Sequence, residues 1–151
     1  MSTKGTTLQP NIKNPHLIKF VNYVMKAGKK YLALKLVGNA FEIIKAKGNK
    51  NPEEIFEKAL ENTMPKIEVR PKRVGGSIYQ VPQEVQPKRQ LALAARWILA
   101  SARARKGAPF SVALAQELIE ASTETGNAIK KKLDVYKMAE ANKAFARFAN
   151  R

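Results

Sequence analysis

The 151-residue chain contains no cysteine, so it forms no disulfide and no thiolate metal site. It has one histidine, His16, and one aspartate, Asp134. A Ser/His/Asp triad or a histidine-rich metal cluster finds no support in that inventory. Carboxylate pairs for acid–base work have to come from glutamates, and these fall on helix faces beside lysines. No apolar run reaches the roughly 20 residues that a membrane-spanning helix needs. The N-terminus shows neither the apolar core of a signal peptide nor an arginine-rich amphipathic presequence. The expectation is a soluble protein, used where it is made, with no membrane partner, no cofactor and no enzymatic activity. Acid is scarce too: 12 Asp and Glu stand against 28 Lys and Arg, for a formal net charge of +16.

A net charge of that size repels itself in the folded state and is usually tolerated because a polyanion is the neighbour. The charge is also uneven. Residues 1–50 hold ten basic side chains and one acid, and residues 65–107 hold ten and two. Residues 51–64 reverse the sign, with one lysine and four glutamates, and residues 108–151 are close to balanced, with seven and five. One binding face with a more neutral back is expected, and the acidic segment is expected to face away from any nucleic acid.

The stretch from Pro65 to Arg105 organises the rest. Ile67 and Val69 alternate with Glu68 and Arg70, Tyr79 and Val81 alternate across Gln80, and Gly75-Gly76 lies between the two runs. Two glycines take φ > 0 at little steric cost, which is the requirement of a two-residue hairpin turn. Pro71 and Pro82 remove ladder donors, so neither strand suits the middle of a sheet. The spacing predicts an isolated β-ribbon over about 66–85. Eight extended residues at about 3.3 Å each carry its tip roughly 25 Å from its base. Arg70, Lys72 and Arg73 make the outgoing strand the basic one. A lone hairpin is marginal in water, so something has to brace it.

Around this arm the pattern is helical. Asn14-Pro15 opens a first helix with a cap and a proline at the first position. Leu17, Phe20, Val21, Val24 and Met25 then recur at helical spacing, and Gly28 closes it. His16 in its first turn reads as an incidental surface side chain. A second helix runs from Lys30 to Lys47 with Ala33, Leu36, Val37, Ala40, Phe41 and Ile44 inward. Asn51-Pro52 opens a third, with Glu54 placed for a capping box, and Pro65 stops it. The fourth helix, Pro87 to Lys106, buries Leu91, Ala95, Ile98, Leu99 and Ala102. Arg89, Arg96 and Arg103, seven apart, share its opposite face, and Trp97 reads as a second packing surface. Ser111 is placed to cap a fifth helix, and a sixth starts near Asn127. Its apolar pattern is looser, which fits a helix that kinks or extends past the body. The whole is a mainly α domain over 14–151, a six-helix body with one projecting β-hairpin between helices three and four. Residues 1–13 read as a flexible polar tail.

These segments resemble the bacterial and organellar small-subunit ribosomal protein seven family. The strings that carry the resemblance include Phe20-Val-Asn-Tyr-Val-Met-Lys-Ala-Gly-Lys-Lys30, Val69-Arg-Pro-Lys-Arg-Val-Gly-Gly-Ser-Ile-Tyr-Gln-Val-Pro82, Gln90-Leu-Ala-Leu-Ala-Ala-Arg-Trp97 and Met138-Ala-Glu-Ala-Asn-Lys-Ala-Phe145. Order and spacing hold from about Asn14 to Phe148. The resemblance implies binding to the 3′ major domain of small-subunit rRNA, nucleation of head assembly, and a hairpin and last helix near the exit-site tRNA and the mRNA path. It implies ribosomal proteins nine, eleven, thirteen and nineteen as neighbours, on ribosomes of a bacterial cytoplasm, plastid stroma or mitochondrial matrix. Carried onto this sequence, the rRNA face takes in Lys29, Lys30, Arg70, Lys72, Arg73, Lys88, Arg89, Arg96 and Arg103. The exit-site vicinity takes in Gly75, Gly76, Ser77, Tyr79, Lys143 and Arg147. The sequence departs from the family at its start, where residues 1–13 hold only Lys4 and Lys13 in place of a strongly basic arm.

Without the resemblance, the alternative is an architectural DNA-binding protein whose β-arm enters a minor groove. Such an arm needs an apolar or proline wedge at its tip, and this tip is Gly-Gly.

Overall fold

The computed structural model describes residues 13–48 and 51–150. The tail expected over residues 1–13 lies outside the described residues except for Lys13. Six α-helices and one hairpin follow in order: α1 Pro15–Val24, α2 Lys30–Ala46, α3 Pro52–Thr63, β1 Ile67–Val74, β2 Ser77–Glu84, α4 Pro87–Ala104, α5 Phe110–Ser122 and α6 Asn127–Ala141. A 3-10 helix, Lys143–Asn150, closes the described chain.

Caps and prolines set the helix starts. Asn14 accepts from the backbone N–H of His16 at 3.0 Å and of Leu17 at 3.4 Å. Asn51 does the same for Glu54 at 3.4 Å. Each satisfies donors that the first helical turn leaves orphaned, and each is followed by a proline that has no N–H to lose. Three local expectations fail. α1 ends at Val24, four residues before Gly28, because Met25 already leaves the helix with ψ 133°, and Ala27 and Gly28 then take positive φ in the connecting turn. α4 ends at Ala104, short of Lys106. Ser111 caps nothing: α5 begins a residue earlier, and the Ser111 hydroxyl donates to the Leu36 carbonyl of α2 at 3.0 Å.

The core forms where α2, α3 and α4 converge on α5, with α1 packed against α2 and α4. Phe20, Phe41 and Phe56 meet there, with Phe20 edge-on to Phe56 at 5.1 Å between ring centroids. α5 buries Ser111, Ala113, Leu114, Ala115, Glu117, Leu118, Ala121 and Ser122. At 100° per residue those positions cover about 200° of the helix circumference, a broader buried face than the stripe of a surface helix. Gly38 on α2 is buried as well. Asn62 at the end of α3 donates to the Ala121 and Ser122 carbonyls, tying α3 to the last turn of α5.

The hairpin is a two-stranded antiparallel sheet with Val74 paired to Ser77 and Ile67 to Glu84. It is not a free arm. α6 docks at its root, where the Tyr136 hydroxyl accepts from the Lys66 N–H at 2.9 Å. The chain then leaves α6 and folds back, so that the 3-10 helix lies along β2. Eight residues is long for a 3-10 helix, whose hydrogen bonds are poorly aligned. Here packing on the hairpin sustains it. The looser apolar pattern of the last helix thus marks a break and a return, and the return is the brace the hairpin needs.

Candidate nucleic-acid interface

Three clusters of cations emerge, and the fold sorts the expected residues among them. The first is at the hairpin root. Side chains alternate across a strand, so Glu68, Arg70 and Lys72 share one face while Arg73 takes the other. Glu68 is buried and binds two arginines, Arg70 Nε at 3.0 Å and Arg89 Nε at 2.8 Å. The Arg89 bond to Glu68 raises its pKa further, despite the opposing cost of burial. Each guanidinium spends its Nε on Glu68 and turns its remaining donors elsewhere, so the pair is held as a preset fork of net charge +1. Lys72 is partly committed as well, since its Nζ donates to the Ala149 carbonyl at 3.1 Å. Arg73 is exposed.

The second cluster is the face of α4. Arg89, Arg96 and Arg103 lie along it over about 21 Å, from the 1.5 Å rise per residue. Arg96 sits over the Tyr23 ring at 5.9 Å and Arg103 over the Phe110 ring at 5.8 Å. Arg103 Nη2 also donates to the Val24 carbonyl at the end of α1, at 3.3 Å. These contacts aim two long side chains without neutralising them. Lys88 is exposed in the first turn of α4, and Lys29 and Lys30 are exposed where α2 begins. Lys29 is the cap residue of α2 and makes no side-chain capping bond, so the positive end of that helix adds to its field. Lys29 and Arg103, 74 positions apart in the chain, line one open groove of about 580 Å³.

The third cluster surrounds the hairpin tip. Gly75 and Gly76 take φ of 59° and 83°, as a primed two-residue turn requires. Both are exposed, and so is Ser77. Tyr79 is not a free contact residue: its ring packs on Phe145 at 5.0 Å and on Phe148 at 5.1 Å. Arg147 lies over Phe148 at 5.0 Å, and Lys143 pairs with Glu140 at 3.0 Å where both are widely exposed. Ile78, beside the turn, is 64 % exposed. The tip therefore does carry an apolar side chain, and its Gly-Gly turn alone does not argue against a wedge.

Some residues that matter were not singled out in the sequence. Arg105 reaches Glu117 and Glu120, both at 2.6 Å, and is spent on the fold. Glu117 is fully buried, unlike the lysine-flanked surface glutamates expected; burial raises its pKa while Arg105 lowers it. His16 is not incidental, since its Nδ1 meets Glu57 at 3.0 Å and Asn14 donates to the same carboxylate at 2.6 Å. Lys26 and Phe110 line the groove with Lys29 and Arg103. Only Lys26 carried a signal, as one more cation in a basic segment. Among the described residues, no group of three or more His, Asp or Glu side chains is placed to hold a metal ion, and no helix is long and apolar enough to cross a membrane.

The comparisons with known proteins agree with one another. A family model described as "Ribosomal protein S7p/S5e" matches residues 2–143. The chain is 56 % identical over 128 residues to a protein of Pseudothermotoga lettingae named "Small ribosomal subunit protein uS7", covering 85 % of this chain and 83 % of that one. It is 55 % identical over 130 residues to the protein of the same name from Thermotoga maritima, covering 86 % and 84 %. With that of Moorella thermoacetica it shares 52 % identity over 145 residues, covering 96 % and 93 %.

Proposed function

Because the chain belongs to the ribosomal protein S7p/S5e family, we propose that it binds the 3′ major domain of small-subunit rRNA and nucleates assembly of the head there. Membership itself makes it a structural component of the small ribosomal subunit rather than an enzyme, with rRNA and the ribosome as partners. The finer reading is supported by one observation above the others. The arginine stripe on α4 runs unbroken from the hairpin root at Arg89 to the groove at Arg103 and Lys29.

The rRNA-binding set is Lys29, Lys30, Arg70, Lys72, Arg73, Lys88, Arg89, Arg96 and Arg103. Gly75, Gly76, Ser77, Lys143 and Arg147 form the surface offered to exit-site tRNA and mRNA, with Tyr79 as its internal brace. Ribosomal proteins nine, eleven, thirteen and nineteen are the protein neighbours. The bacterial relatives support a ribosome of the bacterial cytoplasm. The mechanism is phosphate neutralisation and recognition of RNA shape, with little base reading.

The test is filter binding of the full chain to a 3′ major domain transcript across a salt series, with footprinting on the same complexes. Binding is expected to fall steeply with salt. Arg96→Ala is expected to reduce the slope of log affinity against log salt by about 1. Protection is expected within the 3′ major domain and is expected to shrink when Arg70, Lys72 and Arg73 are all changed to Glu. A shallow slope, or no localised protection, refutes the reading.

A further inference from the structure

The closing 3-10 segment grips the hairpin through few contacts. No residue from Lys143 to Ala149 is buried, and Tyr79 beneath them is only half-buried. The grip is the packing of Tyr79 on Phe145 and Phe148, with one hydrogen bond from Lys72 Nζ to the Ala149 carbonyl. Arg147 lies over Phe148 of its own segment, so that contact ties nothing to the hairpin. Among the described residues, no ion pair joins the segment to either strand. The backbone adds little, because 3-10 hydrogen bonds are poorly aligned and runs beyond about four residues are uncommon.

Charge opposes this docking. The segment holds Lys143 and Arg147 and no acid. Lys72 pairs with Tyr79 in the sheet register, so Lys72 and Arg70, two residues apart, share the face that the segment covers. The acids bonded to these cations do not cancel them. Glu68 is shared between Arg70 and Arg89, and Glu140 answers Lys143 alone at a widely exposed site. Lys72 and Arg147 have no acidic partner among the described residues.

We propose that this segment is a charge-gated strap, opened by like-charge repulsion and closed onto β2 when anions screen that repulsion. Closure braces the hairpin and commits the Lys72 amine to Ala149. Opening frees that amine and bares three aromatic rings. The screening length falls from about 30 Å at 0.01 M salt to about 3 Å at 1 M, so neighbouring surface cations repel in the first medium and scarcely in the second. A polyanion lying on the hairpin supplies the same screening locally, so the arm stiffens where such a partner is bound. The gate needs only charge and rings. Its test uses salt and no RNA, so it stands or falls apart from the rRNA reading.

Amide hydrogen exchange of the full chain is followed by NMR at about 0.01 M and about 1 M sodium chloride, with α5 amides in the same sample reporting global stability. Amides of β2 and of residues 143–149 are expected to slow roughly 5-fold on adding salt, relative to those of α5. The double variant Lys143→Gln with Arg147→Gln removes two exposed cations, and a thermal melt confirms its fold. Its strap is expected to be protected at low salt to within about 2-fold of its value at high salt. Phe145→Ala removes half of the grip on Tyr79 and is expected to exchange fast in both media. An equal salt response in the charge-stripped variant means that salt acts on the apolar contacts, and overturns the gate. No salt response beyond that of α5, or parent protection in Phe145→Ala, also overturns it.

Discussion

Removing Arg105 tests the least expected feature of the interior. Glu117 is 0 % exposed, and its Oε1 is 2.6 Å from Arg105 Nε. Among the described residues, its Oε2 accepts no hydrogen bond. Arg105→Met keeps most of the side-chain volume and leaves that carboxylate without its counter-charge. Breaking a buried pair from one side costs about 3–5 kcal/mol. Glu120, 31 % exposed, loses the same partner but is screened by water and adds little. For a domain of this size each kcal/mol lowers Tm by roughly 2–4 °C, so a fall of roughly 6–20 °C at neutral pH is expected. The loss depends on pH with a definite sign. Burial already raises the pKa of Glu117, and Arg105 opposes that rise. Without Arg105 the folded-state pKa climbs further above the unfolded value of about 4.3. The folded state then holds a proton that the unfolded state releases, so stability is greatest in acid and is lost as pH rises through the raised pKa. Circular-dichroism melts at pH 5 and pH 8 read this directly. The deficit should be larger at pH 8, and the pair Arg105→Met with Glu117→Gln should recover much of it. Melts of Arg105→Met within about 2 °C of the parent at both pH values would refute a buried, charge-paired Glu117.

Four further outcomes are expected. Asn14→Ala removes the α1 cap and the bond to Glu57 and should cost about 1 kcal/mol in urea unfolding; an unchanged midpoint would show the cap to be idle. Gly126→Ala sets a side chain at φ 92° with its Cβ 2.8 Å from Glu120 Oε2, and should destabilise by about 1–3 kcal/mol. A melting temperature equal to the parent's would contradict that geometry. Phe148→Ala removes a ring from Tyr79, so amides of the hairpin should exchange faster while those of α5 do not; equal acceleration in both would deny the brace. Glu68→Gln raises the net charge by one yet should weaken rRNA binding, because Arg70 and Arg89 lose the carboxylate that orients them. Tighter binding would show that charge alone matters there.

The helices, their order and the arm were legible because local rules govern them. Asn14-Pro15 and Asn51-Pro52 pair a capping side chain with a proline suited to the first helical position, Gly75-Gly76 admits a tight primed turn at little steric cost, and the seven-residue spacing of Arg89, Arg96 and Arg103 puts them on one face of any helix. Net charge is likewise a property of composition, and it pointed to a polyanion before any fold was known. Periodicity and capping act over one to four residues, so they reach no further than the element that contains them. What lay beyond that reach was decided by packing. The apolar stripe of α5, Leu114, Ala115, Leu118 and Ile119, did not show how much more of that helix is buried where α2, α3 and α4 converge on it, and Glu117 became an interior residue once Arg105 was folded against it. Ser111, a good cap by type, turned to α2 instead. Arg70 and Arg89, 19 positions apart, met only through Glu68, and the hairpin found its brace in Phe145 and Phe148 after the chain broke from α6 and returned. The groove that joins Lys29 to Arg103 has no sequence signature at all, because its walls come from two chain segments that are adjacent only after α1 and α4 pack together.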